Sequence, residues 1–87
     1  MNYWKGEEMK FDYNKLHGRI IEKYKTQSKF AVAMGWSERT LSLKLNNERD
    51  WKQSDIIKAV KLLCIIDKDI PIYFFNTKVQ NIELQGE

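Results

Sequence analysis

The chain has 87 residues, with 15 Lys or Arg against 12 Asp or Glu, a formal charge of +3, and 43% hydrophobic content. That is enough for one modest core but not for a catalytic cleft between two domains, and one Pro with four Gly is sparse punctuation for an all-β protein, so an all-α domain is the economical reading. A single cysteine, Cys64, excludes an internal disulfide and a zinc cage of Cys and His; with no membrane-length apolar run and no signal-peptide core in MNYWKGEEMK, the expected setting is the reducing cytoplasm, with no membrane partner.

Residues 1–10 are expected to be a leader or flexible arm. Codons for Lys5-Gly6-Glu7-Glu8 can spell a purine-rich ribosome-binding site ahead of an ATG for Met9, which makes Met9 a candidate true start and Met1 to Glu8 a translated leader. Otherwise Tyr3, Trp4 and Lys5 form an arm that packs on the body or touches DNA. Asp12 suits the N-cap of a first helix from Tyr13 to about Tyr24, with Leu16, Ile20 and Tyr24 at i, i+4, i+8 and Ile21 beside them. Lys15, Arg19 and Lys23 recur every fourth residue on another face, where they either approach a DNA backbone or solubilise the helix beside Glu22. His17 has no second His or Cys at ligand spacing and reads as a surface or half-buried residue.

The stretch from Thr26 to Asn47 predicts two short helices joined by a tight turn. Thr26 can cap the first, whose Phe30, Ala31 and Met34 share a face; Gly35 stands where the chain must leave that helix in a left-handed conformation. Ser37 caps the second, Glu38 to about Asn46, with Leu41 and Leu45 one turn apart and facing the first helix. The opposite face carries Glu38, Arg39, Ser42 and Leu43. Arg can fork onto guanine, Glu can accept from cytosine, Ser can do either, and Leu can meet a thymine methyl, so these four are the base-reading candidates. Charge concentrates here as well: residues 15–52 hold nine Lys or Arg against four acids, a surplus of +5, while the flanks carry −2.

These residues resemble the helix-turn-helix of phage Cro and repressor proteins, the XRE-like class: Gln27 opening the first helix, Ala31, Gly35 in the turn, Ser37 opening the second, Leu41 inside it, then Asn46-Asn47. FDYNKL, ERTLSLKLNN and IYFF are similar to a small phage-encoded family of Gram-positive hosts, over nearly the whole chain from Phe11. The resemblance implies a five-helix Cro/repressor-like DNA-binding domain over residues 11–76 and a homodimer on a double-stranded operator. It also implies that Gln27, Ser37, Lys44, Asn46, Asn47 and Arg49 contact the sugar-phosphate backbone. Lys44 departs from the class, which places an apolar residue there; with Leu45 as the apolar substitute, the rotation of the second helix stays open by part of a turn.

Beyond the polar connection Asn47-Glu48-Arg49-Asp50, Trp51 admits two readings, a base-stacking ring or a hydrophobic staple onto Ile56 or Ile57. A helix from about Ser54-Asp55 to Ile65 puts Ile56, Val60 and Leu63 on its core face and Lys58 and Lys61 outside, with Cys64 as a small core residue and Ile65 and Ile66 adding apolar material. Pro71 suits the first turn of a short last helix ending near Phe75. Tyr73, Phe74 and Phe75 cannot all face one core from one helix, so they form a dimer or partner surface or else cover the open end of the core. Residues 77–87 are expected to be a short strand or tail.

No paired carboxylates, activated nucleophile, phosphate loop or metal cluster can be placed, so the chain is expected not to be an enzyme and to need no cofactor. The functional expectation is a sequence-specific transcriptional regulator, phage or prophage encoded, acting by operator occupancy. The rival is an antirepressor or antitoxin-like module that uses the same scaffold to dock on a host or phage protein.

Overall fold

The computed structural model describes residues 10–77, which build α1 (Asn14–Tyr24), α2 (Gln27–Met34), α3 (Glu38–Leu45), α4 (Gln53–Leu63), a 3-10 turn (Asp67–Asp69) and α5 (Ile70–Phe74). Among the described residues the fold is all-α with five helices, as composition and periodicity predict. Expectations about Met1 to Met9 and about a strand or tail past Thr77 lie outside the described residues. At that boundary Phe11 and Thr77 form an isolated antiparallel bridge, and Asp12 N–H donates to Asn76 O, so the two ends of the described chain leave side by side.

α1 starts one residue later than expected: Asp12 Oδ1 does accept a free N–H, that of Asn14 at 2.9 Å, but Tyr13 is the flanking residue. Leu16 and Ile20 are fully buried and Tyr24 lies edge-on to Phe30. Ile21 is exposed, because the next position turns about 100° away from the Leu16–Ile20 stripe that faces α2, α4 and α5. Helix α2 is capped as its sequence predicts: Thr26 Oγ1 accepts from Lys29 N–H at 3.1 Å, and Gly35 takes a left-handed φ of 83°. Trp36 N–H then reaches back to Ala31 O at 2.8 Å, the six-to-one bond that closes such an end. Ser37 Oγ accepts from Thr40 N–H to open α3, and Leu41 seats α3 on buried Phe30, Ala31 and Met34 within the common core.

The loop into α4 follows the staple reading of Trp51, which precedes the cap residue Lys52 and packs edge-on against Trp36 and Phe74, with Ile56 in the same cleft. Its indole Nε1 is buried without a hydrogen-bond partner among the described residues. α4 ends at Leu63, two residues short of expectation, because Cys64 adopts a left-handed φ of 55° and Ile65 N–H bonds Val60 O instead. That geometry corrects the reading of Cys64 as a core residue: its side chain is exposed. Ile65 is buried as expected, whereas Ile66 is 55% exposed. Pro71 lies in the first turn of α5, where its missing N–H has no partner to lose.

Candidate recognition surface

Two short helices at the chain's centre, α2 and α3, are linked by the three residues Gly35, Trp36 and Ser37. Caps at both N-termini fix where each begins, so the outward side of α3 is set by how its inward side is held. Leu41 supplies the apolar hold, fully buried. Lys44, one turn on, supplies a polar one. Expected to contact the DNA backbone, Lys44 is instead only 5% exposed. Its Nζ donates to Asp55 Oδ2 at 2.9 Å and to Asp50 O at 2.8 Å, and it sits 4.9 Å from the centre of the Trp36 ring. A buried ammonium needs its donors satisfied, and here a carboxylate, a carbonyl and an aromatic face surround it. The rotation left open by Lys44 is thereby fixed, with Lys44 inward.

Asp55 is the anchor of this joint. Its Oδ2 also accepts from Lys52 N–H at 2.8 Å, capping α4. Burial pushes its carboxyl upward, but the Lys52 N–H and the Lys44 ammonium together outweigh burial and hold it below the ordinary carboxylate range. Neither Asp55 nor Trp36 was singled out from sequence. The available signal was a lysine three residues after a buried leucine on a helix whose neighbour opens with an aspartate in its first turn.

With Lys44 inward, the other candidates separate. Glu38 and Arg39 project from the first turn of α3 and are exposed, as are Asn46 and Arg49. Leu43 is half-buried. Ser42 Oγ accepts from Gln27 Nε2 at 2.9 Å, so these two are paired with each other, and Ser37 is occupied with Thr40. Asn47, expected on the backbone, is committed inside the protein: Phe11 N–H donates to its Oδ1 at 2.9 Å and its Nδ2 donates to Phe11 O at 2.8 Å. Its left-handed φ of 65° ends α3, and its amide clamps the incoming chain as a second peptide group would. Arg19 is likewise drawn inward from the basic stripe of α1, donating to Leu63 O at 2.9 Å and Cys64 O at 3.1 Å, where it holds the last carbonyls of α4.

The aromatic trio divides. Phe74 is 2% exposed and belongs to the core, which corrects its assignment to a partner surface; Tyr73 is half-buried and Phe75 is 52% exposed, edge-on to Phe11. Between the start of α1 and α3 runs a polar cleft lined chiefly by Asp12, Asn14, His17, Gln27, Ser42 and Asn46, with no Lys or Arg in its wall. Among the described residues no three His, Cys, Asp or Glu gather to hold a metal ion, and no helix is long and apolar enough to cross a membrane.

A family described as a protein of unknown function, DUF739, matches residues 9–77. No curated protein matches the chain. A solved solution structure does: that of the modulator of repression of the temperate bacteriophage TP901-1 from Lactococcus lactis, 56% identical, with a TM-score of 0.69 over 79% of this chain and 93% of that one.

Proposed function

We propose that this chain, which belongs to the DUF739 family, is a phage regulatory protein that modulates repression by docking the outward side of α3 and its following loop on a protein of the repression machinery. One observation carries the docking reading. The exposed charges of that surface are Glu38, Arg39, Glu48, Arg49, Asp50 and Lys52, three acids against three cations, because Lys44 is spent on Asp55. A phosphate-binding face needs a surplus of cations. Balanced charge around the half-buried Leu43, beside a polar cleft without Lys or Arg, is the anatomy of a protein interface, where opposite charges fix register and a central apolar group supplies affinity. Tyr73 and Phe75 remain a second surface for a host or phage partner or a second copy of the chain.

Operator occupancy is the second reading. The α2–turn–α3 geometry and the exposed Arg39 in the first turn of α3 favour it. In it Glu38, Arg39, Ser42 and Leu43 read bases, while Gln27, Ser37, Asn46 and Arg49 position phosphates. Titrating the chain with the repressor of its own phage, and separately with duplex from around its own gene and random duplex at about 150 mM salt, distinguishes the two. The docking reading expects a complex with the repressor that Arg39→Glu weakens about tenfold or more, and no strong preference between duplexes. A preference near a thousandfold for the native duplex, with Arg39→Ala costing about 1–3 kcal/mol there and little on random DNA, would establish the operator reading instead.

A further inference from the structure

The polar cleft beside α3 carries an inference that deepens the docking reading and rests on it. Its volume is about 320 Å³, room for one long side chain but not for a helix, which is about 10 Å across. Its walls come from the segment entering α1 and its first turn, with Asp12, Asn14 and His17, from Gln27 at the start of α2, and from Ser42 and Asn46 of α3 and its end.

Internal hydrogen bonds fix these walls and leave acceptors over. The Asn47 clamp on Phe11 ties the segment entering α1 to the end of α3. Gln27 Nε2 donates to Ser42 Oγ at 2.9 Å, which ties α2 to α3 and leaves Gln27 Oε1 without a partner among the described residues. Asp12 Oδ1 accepts from Asn14 N–H at 2.9 Å, and Asp12 Oδ2 has no partner among them either. The surrounding charge favours a cation. Asp12 is the one Asp or Glu lining the cleft, and Lys10 and Lys15, the cations nearest to it in sequence, do not line it. Glu38 and Arg39, one turn before Ser42 on α3, offset each other. Asn14 N–H and Lys29 N–H, at the starts of α1 and α2, are already taken by Asp12 and Thr26, whereas Leu45 to Asn47 bring the negative pole of α3 to the wall.

We propose that this cleft seats an arginine side chain of the protein that docks on α3, with its guanidinium on Asp12 and Gln27. A guanidinium presents several donors and no acceptor in a planar fork, which answers a carboxylate and an amide carbonyl together; a lysine ammonium is a point charge and matches that pair less well. A phosphate or an acidic side chain would meet Asp12 with no cation in the wall to neutralise it.

The test has two arms. In the first, amide chemical shifts of the full chain are followed as N-acetyl-arginine amide, N-acetyl-lysine amide and N-acetyl-glutamate amide are added separately. The expected result is saturable shifts at Asn14, His17, Gln27 and Asn46 with the arginine compound, weaker ones with lysine and none with glutamate. Asp12→Asn should abolish them while keeping a side-chain oxygen for Asn14 N–H. In the second arm, Asp12→Asn should weaken the complex with the repressor of the chain's own phage about tenfold or more, and Lys15→Gln should change it less than about twofold. Equal shifts from lysine or glutamate, arginine shifts that persist in Asp12→Asn, or an unchanged repressor affinity in that variant would each overturn the proposal. No repressor complex, with the arginine shifts intact, would sink the docking reading of the repressor while supporting the cleft as the seat of an arginine.

Discussion

α3 meets the body of the protein along two edges of different character. At Leu41 the contact is apolar and non-directional, so a small rotation of the helix loses area gradually. At Lys44 the contact is a set of short polar bonds, 2.8 Å to Asp50 O and 2.9 Å to Asp55 Oδ2, and the same rotation breaks it outright. The apolar edge makes α3 pack; the polar edge decides which side chains it shows. Asp55→Ala tests that division most severely. It leaves a buried ammonium without its carboxylate and uncaps α4, so the stability read from urea unfolding should fall by about 3–5 kcal/mol. Acid should do the same more gently. A carboxyl held below its ordinary value stabilises the fold fully above the unfolded value, near about 3.9, and loses that contribution as pH falls through the lower folded value. Asp55→Asn should therefore flatten the stability profile below about pH 4. An Asp55→Ala protein as stable as the parent would show that the polar edge holds nothing.

The same contrast explains what could be read in advance. Leu16, Ile20, Phe30, Met34 and Leu41 are visible as core because burial follows helical period, and Thr26, Gly35 and Ser37 are visible as caps because few residue types do that work. Periodicity carries no information about a charge that turns inward. Lys44, Asn47 and Arg19 look like surface residues until their partners Asp55, Phe11 and the end of α4 are brought near, from 11, 36 and 44 residues away. Cys64 departs for a neighbouring reason: whether an apolar residue at this helix end faces in or out depends on its left-handed φ, which hydrophobicity does not report. Of three consecutive aromatics, the pattern alone does not say which one, here Phe74, turns to the core. Among the site candidates, Glu38, Arg39, Asn46 and Arg49 stay where the sequence placed them, exposed.

Lys44→Met tests whether the polar edge is needed for stability or for orientation. Methionine has a similar stem, adapts to irregular space and keeps the contact with the Trp36 ring. Asp55 retains the Lys52 N–H, so the loss should stay below about 1.5 kcal/mol, well under that of Asp55→Ala. Orientation should suffer more than stability. Amide exchange and chemical shifts along Glu38 to Leu45 should change while those of α1 do not, and binding through α3 should weaken beyond what the stability loss accounts for. A variant that is both stable and fully binding would return the choice of α3 rotation to Leu41 and Leu45.

The smallest effect concerns the ends of α2 and α4, which close with the same bond pattern on different residues. Trp36 N–H bonds Ala31 O across a left-handed Gly35, and Ile65 N–H bonds Val60 O across a left-handed Cys64. Glycine adopts that conformation freely; cysteine gives up about 1 kcal/mol to do so. The α4 end tolerates this because its last carbonyls, Leu63 O and Cys64 O, are gripped by Arg19, another directional contact that a change of side chain at position 64 leaves intact. The thiol is exposed, so little packing is lost with it. Cys64→Gly should therefore stabilise the fold by about 0.5 kcal/mol, the strain relieved being partly offset by the greater freedom of glycine in the unfolded chain. Gly35→Ala should move the other way, by about 1 kcal/mol; no neighbouring atom would meet the new methyl, which leaves backbone strain as the cause. Paired urea titrations read both. If Cys64→Gly destabilised the protein, the Arg19 grip would have to depend on the side chain at 64, and the end of α4 would rank with Lys44 as a polar joint rather than with Gly35 as a backbone stop.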